Sequence, residues 1–148
     1  MLGIVLLVAV AVFLSTLFHY EGLRLLSLLA NADVRNPQAL MLVIIFGALA
    51  LHIAEIGIYA LAYWVGDVLI DAGQFAGSRT TDSLDYFYFS AESFTSLGMG
   101  DIFPLGELRL IAGVEALNGL LLIAWSASFT YLAMERFWTL QKSDKGAL

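Results

Sequence analysis

Apolar residues fill three long stretches of the chain, and the polar positions gather between and after them. Leu2 to Phe18 carries no formal charge. Gln38 to Gly66 carries only Glu55, and Leu110 to Met134 only Glu115. A bilayer crossing takes roughly 20 mostly apolar residues at ~1.5 Å rise each. The second and third stretches are long enough even when tilted. The first is at the short end. It lacks the basic start of a signal peptide, and its nearest small-residue site, Ala30-Asn31-Ala32, lies far past the apolar run. It therefore reads as a span or an interfacial helix.

Tyr20 to Asn36 combines Leu23, Leu25, Leu26, Leu28 and Leu29 with Arg24 and Arg35. That pattern fits a helical extension or a helix lying on the membrane surface. Pro37 stands where a first-turn proline starts the next helix. The residues Asp67, Asp71, Gly73, Gly77 and Ser78 predict a solvated loop. Thr81 or Asp82 then caps a helix start, with Asp85 in the first turn. Tyr86 to Phe94 is an aromatic-rich helix far too short to span. Ser96-Leu97-Gly98-Met99-Gly100-Asp101 follows it, and Pro104 precedes the third apolar stretch.

Composition sharpens this picture. The chain is 60 % hydrophobic and 14 % charged, whereas soluble domains carry about 25 % charged residues. A net charge of −6 with seven basic residues argues against nucleic-acid binding. Absence of cysteine removes thiol chemistry and disulfides, and no catalytic constellation or cofactor motif stands out. If the glycine segment faces outside, then Arg24, Arg35, Arg136, Lys142 and Lys145 lie inside. That arrangement obeys the positive-inside rule. The outer side then holds Asp67, Asp71, Asp82, Asp85, Asp101 and Glu107.

Non-helical backbone at membrane depth survives only inside protein or around a water-filled path. Gly98 and Gly100 permit conformations that turn successive carbonyls to one side. One strand cannot enclose a path, but four copies can, and a ring of carbonyls then replaces a cation's water shell. The C-terminal end of the short helix would add partial negative charge there.

At this point the residues reach a resemblance. Thr95-Ser96-Leu97-Gly98-Met99-Gly100-Asp101-Ile102-Phe103-Pro104 resembles the filter of the potassium-channel superfamily, T-[TS]-[VIL]-G-[YF]-G-D-x-x-P. Upstream, Ser90-Ala91-Glu92-Ser93-Phe94-Thr95 resembles the pore helix of small bacterial potassium channels. Downstream, Arg109 and Gly119 resemble the inner-helix arginine and hinge glycine. The likeness covers roughly Pro37 to Arg136, and the first segment has no counterpart in the simplest two-span members.

The resemblance implies an all-α membrane protein: spanning helix, re-entrant pore helix and filter, spanning helix, plus an N-terminal helix. Residues 1–36 form that helix and a cytosolic linker, 37–137 the pore domain, and 138–148 a short cytosolic tail. The expected assembly is a homotetramer in the membrane lipid of a bacterial inner membrane. Its implied function is passive K⁺ conduction without catalysis or cofactor, with Ser96, Leu97, Gly98, Met99 and Gly100 coordinating the ion. Glu92, Asp101, Tyr88, Phe89 and Thr95 would support the filter, with Glu92 and Asp101 as a carboxylate pair behind it. Gly119, Leu120, Ile123, Ala127 and Tyr131 would form the hinge and line the pore.

Two departures matter. Ser96 stands where threonine is usual, and it keeps the hydroxyl. Met99 replaces the usual Tyr or Phe and can pack on the cuff rings but not donate to them. Weakly selective conduction that admits Na⁺ therefore stays open. So do a transporter subunit and a non-conducting scaffold with a vestigial filter. His52 and Glu55, three apart, share a helix face and form either a proton or metal sensor or a mutually satisfied pair. Glu115 is expected to bond to pore-helix hydroxyls or to a neighbouring subunit, and Asn118 to hydrogen-bond near Gly119.

Overall fold

The computed structural model describes residues 1–30, 37–77 and 82–145. Arg35, Asn36, Ser78 and Thr81, together with Asn31 and Ala32, lie outside them, as do the side chains of Lys142 and Lys145. The element order is α1 (Leu2–Ala30), α2 (Pro37–Trp64), β1 (Phe75–Gly77), α3 (Ser83–Phe94), β2 (Ile102–Pro104) and α4 (Leu108–Lys145). Three of these helices are long and apolar enough to cross a membrane: Leu2–Leu29, Gln38–Leu69 and Leu108–Trp138. The protein is thus a mostly helical membrane protein, and the short helix α3 sits between its second and third spans.

Helix α1 is longer than its charge-free stretch because the leucines after Tyr20 continue the helix. It buries Ile4, Val8, Ala11, Ser15, His19, Gly22 and Leu26, a repeat of three and four residues that fits one helical face. Leu23 is buried beside them and Leu7 and Val12 are half-buried, while most of the other Leu, Val and Phe side chains stay exposed, as befits a lipid-facing surface. Gly22 allows close contact with α2, since a Cβ there would come within 2.3 Å of Leu51. The start of α1 lies beside the turn that leads into α4, where Met1 reaches Glu107 at 2.8 Å. Arg24 pairs with Glu21 at 2.9 Å on an exposed surface, where such pairs contribute little.

Pro37 opens α2 as its first residue. The second span does not stop at Gly66. It continues through a π-helical turn over Val65–Leu69, so Asp67 belongs to that turn and not to a loop. There the Asp67 carboxylate accepts a hydrogen bond from Tyr86 Oη at 2.7 Å. Burial and this carboxylate push the Tyr86 phenol up to about 12, so it remains a donor at neutral pH. The segment read as solvated loop also contains β1, which pairs antiparallel with β2 through Phe75–Pro104, Ala76–Phe103 and Gly77–Ile102. The sheet forms because Phe75 has a core to enter. Its ring lies 5.0 Å from Phe89 and 5.5 Å from both Tyr63 and Tyr86.

Helix α3 starts one turn earlier than its aromatic run. Asp82 is its N-cap, and the Asp82 amide donates back to the Asp85 carboxylate at 3.3 Å. The helix is wedged between α2 and α4 through buried Phe89, Ser90, Glu92 and Phe94.

Candidate functional site

The site begins where α3 ends. Ser96 N–H donates to the Ser93 carbonyl at 3.0 Å, and Leu97 N–H to the Glu92 carbonyl at 2.9 Å. These two bonds, with Ser96 at φ 57°, close the helix by a left-handed cap. Serine carries a Cβ, and that conformation costs about 1–2 kcal/mol. The two capping bonds, at about 1 kcal/mol each, offset it. Handedness then alternates: φ is positive at Ser96, Gly98 and Gly100, but not at Leu97 or Met99. Alternating left- and right-handed residues turn consecutive peptide units to a common side. Within one chain, a Cβ at Gly98 or Gly100 meets nothing within 4 Å. The need for glycine at these positions is therefore conformational.

Thr95 to Gly100 is exposed along its whole length, with Leu97 62 % and Met99 65 % accessible. Two large apolar side chains exposed on a non-helical segment mark a surface that one chain leaves uncovered.

Behind the strand, Tyr88 Oη lies 3.2–3.3 Å from both Asp101 carboxylate oxygens and 3.4 Å from Met99 Sδ. Glu92, desolvation and Asp101 together hold the Tyr88 phenol well above its ordinary range. The expected relation is thus reversed: the cuff hydroxyl donates towards the methionine sulfur. Glu92 is buried, and its Oε1 has no hydrogen-bond partner among the described residues. Phe89 turns away from the strand and packs edge-on to Tyr63 at 5.2 Å. Thr95 Oγ1 donates to the Ala91 carbonyl at 2.7 Å and finishes the helix rather than facing the strand.

Glu115 does meet pore-helix hydroxyls. Ser90 Oγ lies 2.6 Å from Glu115 Oε1 and 2.8 Å from the Ile56 carbonyl, and Tyr63 Oη donates to Glu115 Oε2. One level away, Asn118 Nδ2 donates to Ser15 Oγ at 2.9 Å and Tyr59 Oη at 3.0 Å. Asn118 thereby ties α4 to α1 and α2. Interhelical hydrogen bonds of this kind contribute about 0.6–2 kcal/mol in membranes.

Gly119 sits in unbroken helix, and a Cβ there would lie 2.2 Å from the Phe94 carbonyl oxygen. Its first role is to let the end of α3 rest on α4. On the same helix, Leu120, Ala127 and Tyr131 are exposed and Ile123 is half-buried.

By sequence His19 and His52 are too few to build a zinc site of the usual kind by themselves, yet in the structure His19 joins both His52 and Glu55. His19 Nδ1 lies 2.7 Å from Glu55 Oε1, and His52 Nδ1 2.9 Å from Oε2. The one available sign was its place on the α1 stripe that faces inwards.

The comparisons agree with this layout. The family described as "Ion channel" matches residues 39–136, which run from α2 into α4 and enclose α3 and the glycine strand. The inward rectifier potassium channel Kirbac3.1 of Paramagnetospirillum magnetotacticum is similar, with 33 % identity over 88 residues. That stretch is 58 % of this chain and spans only 28 % of the relative's length. No solved structure matches significantly. The match to residues 39–136 covers well over half of the chain, and the protein belongs to this ion-channel family.

Proposed function

We propose that four copies assemble around a central pore and conduct K⁺ through a ring of backbone carbonyls from Ser96, Leu97, Gly98, Met99 and Gly100. The observation that carries this reading is the alternating handedness at Ser96, Gly98 and Gly100. Carbonyls aligned in this way replace a dehydrated cation's hydration shell when several copies meet. The free apolar faces of Leu97 and Met99 supply the contact between copies. Leu120, Ile123, Ala127 and Tyr131 line the inner pore, and Gly119 is the point at which α4 bends on opening. The filter faces the outside of a bacterial inner membrane, with acidic Asp82, Asp101 and Glu107 gathering cations around it. The end of α4 is cytosolic.

A bilayer recording of purified protein under a K⁺/Na⁺ bi-ionic gradient tests this. A reversal potential near that of K⁺ is expected. A second reading rests on Met99. A sulfur held by the Tyr88 hydroxyl braces the strand less rigidly than an aromatic ring would. A reversal potential near zero would establish this weaker selectivity, and no current at all would overturn both readings.

Glu92 and Asp101 flank Tyr88 as a brace behind the filter. Glu92→Ala is expected to change open probability and its pH response, because it removes one of the two carboxylates facing the phenol. Single-channel recording across pH checks this, and an unchanged open probability would end the bracing role.

A further inference from the structure

We propose that His19, His52 and Glu55 form a binding site for a divalent transition-metal ion of the zinc class. The site is independent of ion conduction through the filter. Glu55 and His19 are fully buried, and the His52 side chain is 16 % exposed. A carboxylate in a membrane span is expensive and calls for a cation partner. Here the partners are two imidazoles that both aim Nδ1 at one carboxylate, each at its own oxygen. One ligand atom from each residue lies within 4.8 Å of the others. Tetrahedral zinc with bonds of about 2.0–2.2 Å holds its ligand atoms about 3.3–3.6 Å apart, so the set closes on an ion by a contraction of at most about 1.5 Å.

The donors choose the metal class. Two imidazole nitrogens and one carboxylate suit zinc and its first-row neighbours. Calcium and magnesium seek all-oxygen shells. The rings are also held in place before any ion arrives. His19 stacks on His52 at 5.4 Å and lies 5.3 Å from the Trp125 ring, and its Nε2 faces Ser126 Oγ at 3.5 Å. A hydrogen-bond partner on the outer nitrogen is the support that metal-bound histidines characteristically have. The partial exposure of His52 leaves one side of the set open. Stability alone does not call for such a triad, because apolar residues of similar volume usually stabilise a core as well or better.

The full chain, purified with a tag free of histidine, stripped by chelator and placed in nanodiscs, would be titrated with ZnCl₂ by calorimetry. A parallel titration with CoCl₂ would follow visible d–d absorption. One ion per chain is expected, with both signals lost in Glu55→Gln and in His19→Gln. Ser126→Ala should weaken binding about tenfold, as outer partners do. Wild-type protein that takes up no stoichiometric zinc would overturn the site and leave a proton as the triad's cation. Undiminished binding in both His19→Gln and His52→Gln would overturn it too. Neither readout depends on current, so a silent filter and an empty triad are separate results.

Discussion

Liposomes carrying Gly98→Ala are expected to show no K⁺ flux above protein-free vesicles. Gly98 holds φ at 56° between two residues of opposite handedness. An L-residue in that conformation costs about 1–2 kcal/mol, which the proposed ring of four copies would multiply to about 4–8 kcal/mol. The strand relaxes by rotating peptide units, which turns carbonyls away from the common side and removes ion ligands. The effect is local, because no atom within 4 Å opposes the added methyl in a single chain. Assembly should therefore survive while flux is lost. Gly57→Ala is the matching control. It lies in α2 with open space around its Cβ, and helix propensity favours alanine there by about 0.8–1.0 kcal/mol. Wild-type flux from Gly98→Ala would overturn the assignment of the conducting strand.

Glu115→Ala should have the second largest effect, this time on stability. The Glu115 carboxyl joins Tyr63 of α2, Ser90 of α3 and its own helix α4 at a fully buried point. Truncation leaves Tyr63 Oη without its acceptor, at about 1–3 kcal/mol for a buried donor. It also leaves a void where the side chain was. Ser90 keeps the Ile56 carbonyl and so loses less. A total of about 3 kcal/mol is expected, read as a lower midpoint of thermal aggregation by size-exclusion chromatography. Glu115→Gln should stay close to wild type, because its amide oxygen accepts from Tyr63 and its N–H donates to Ser90. Equal loss in both variants would show that the carboxyl, and not the hydrogen-bond geometry, holds the three helices.

The long elements were legible because each announces itself within a single window of sequence. Unbroken apolar runs marked the spans, and Gly98, Gly100 and Pro104 marked the non-helical strand between them. Glu115 could be placed near hydroxyls because a lone carboxylate in an apolar run must find donors. Contacts set by helix register were not legible. His19 and Glu55 are 36 positions apart, and nothing local says that the α1 stripe and the α2 face meet at that level. The β1–β2 pairing was missed for a similar reason. Three-residue strands carry no period, and Phe75 becomes a core residue only once Tyr63, Tyr86 and Phe89 surround it. Asp67 misled because acidic residues usually signal solvent. Here a tyrosine hydroxyl on another helix takes the place of water.

The contact between Gly119 and the Phe94 carbonyl has a mechanical consequence. There is no slack at that junction, since even a methyl group does not fit between the two helices. If α4 pivots at Gly119 on opening, as proposed above, the same motion would press on Phe94, the residue two places before Ser96. In the proposed channel a movement at the inner end would thus reach the glycine strand through this one junction, where both the carbonyl and the ring of Phe94 stand against Gly119.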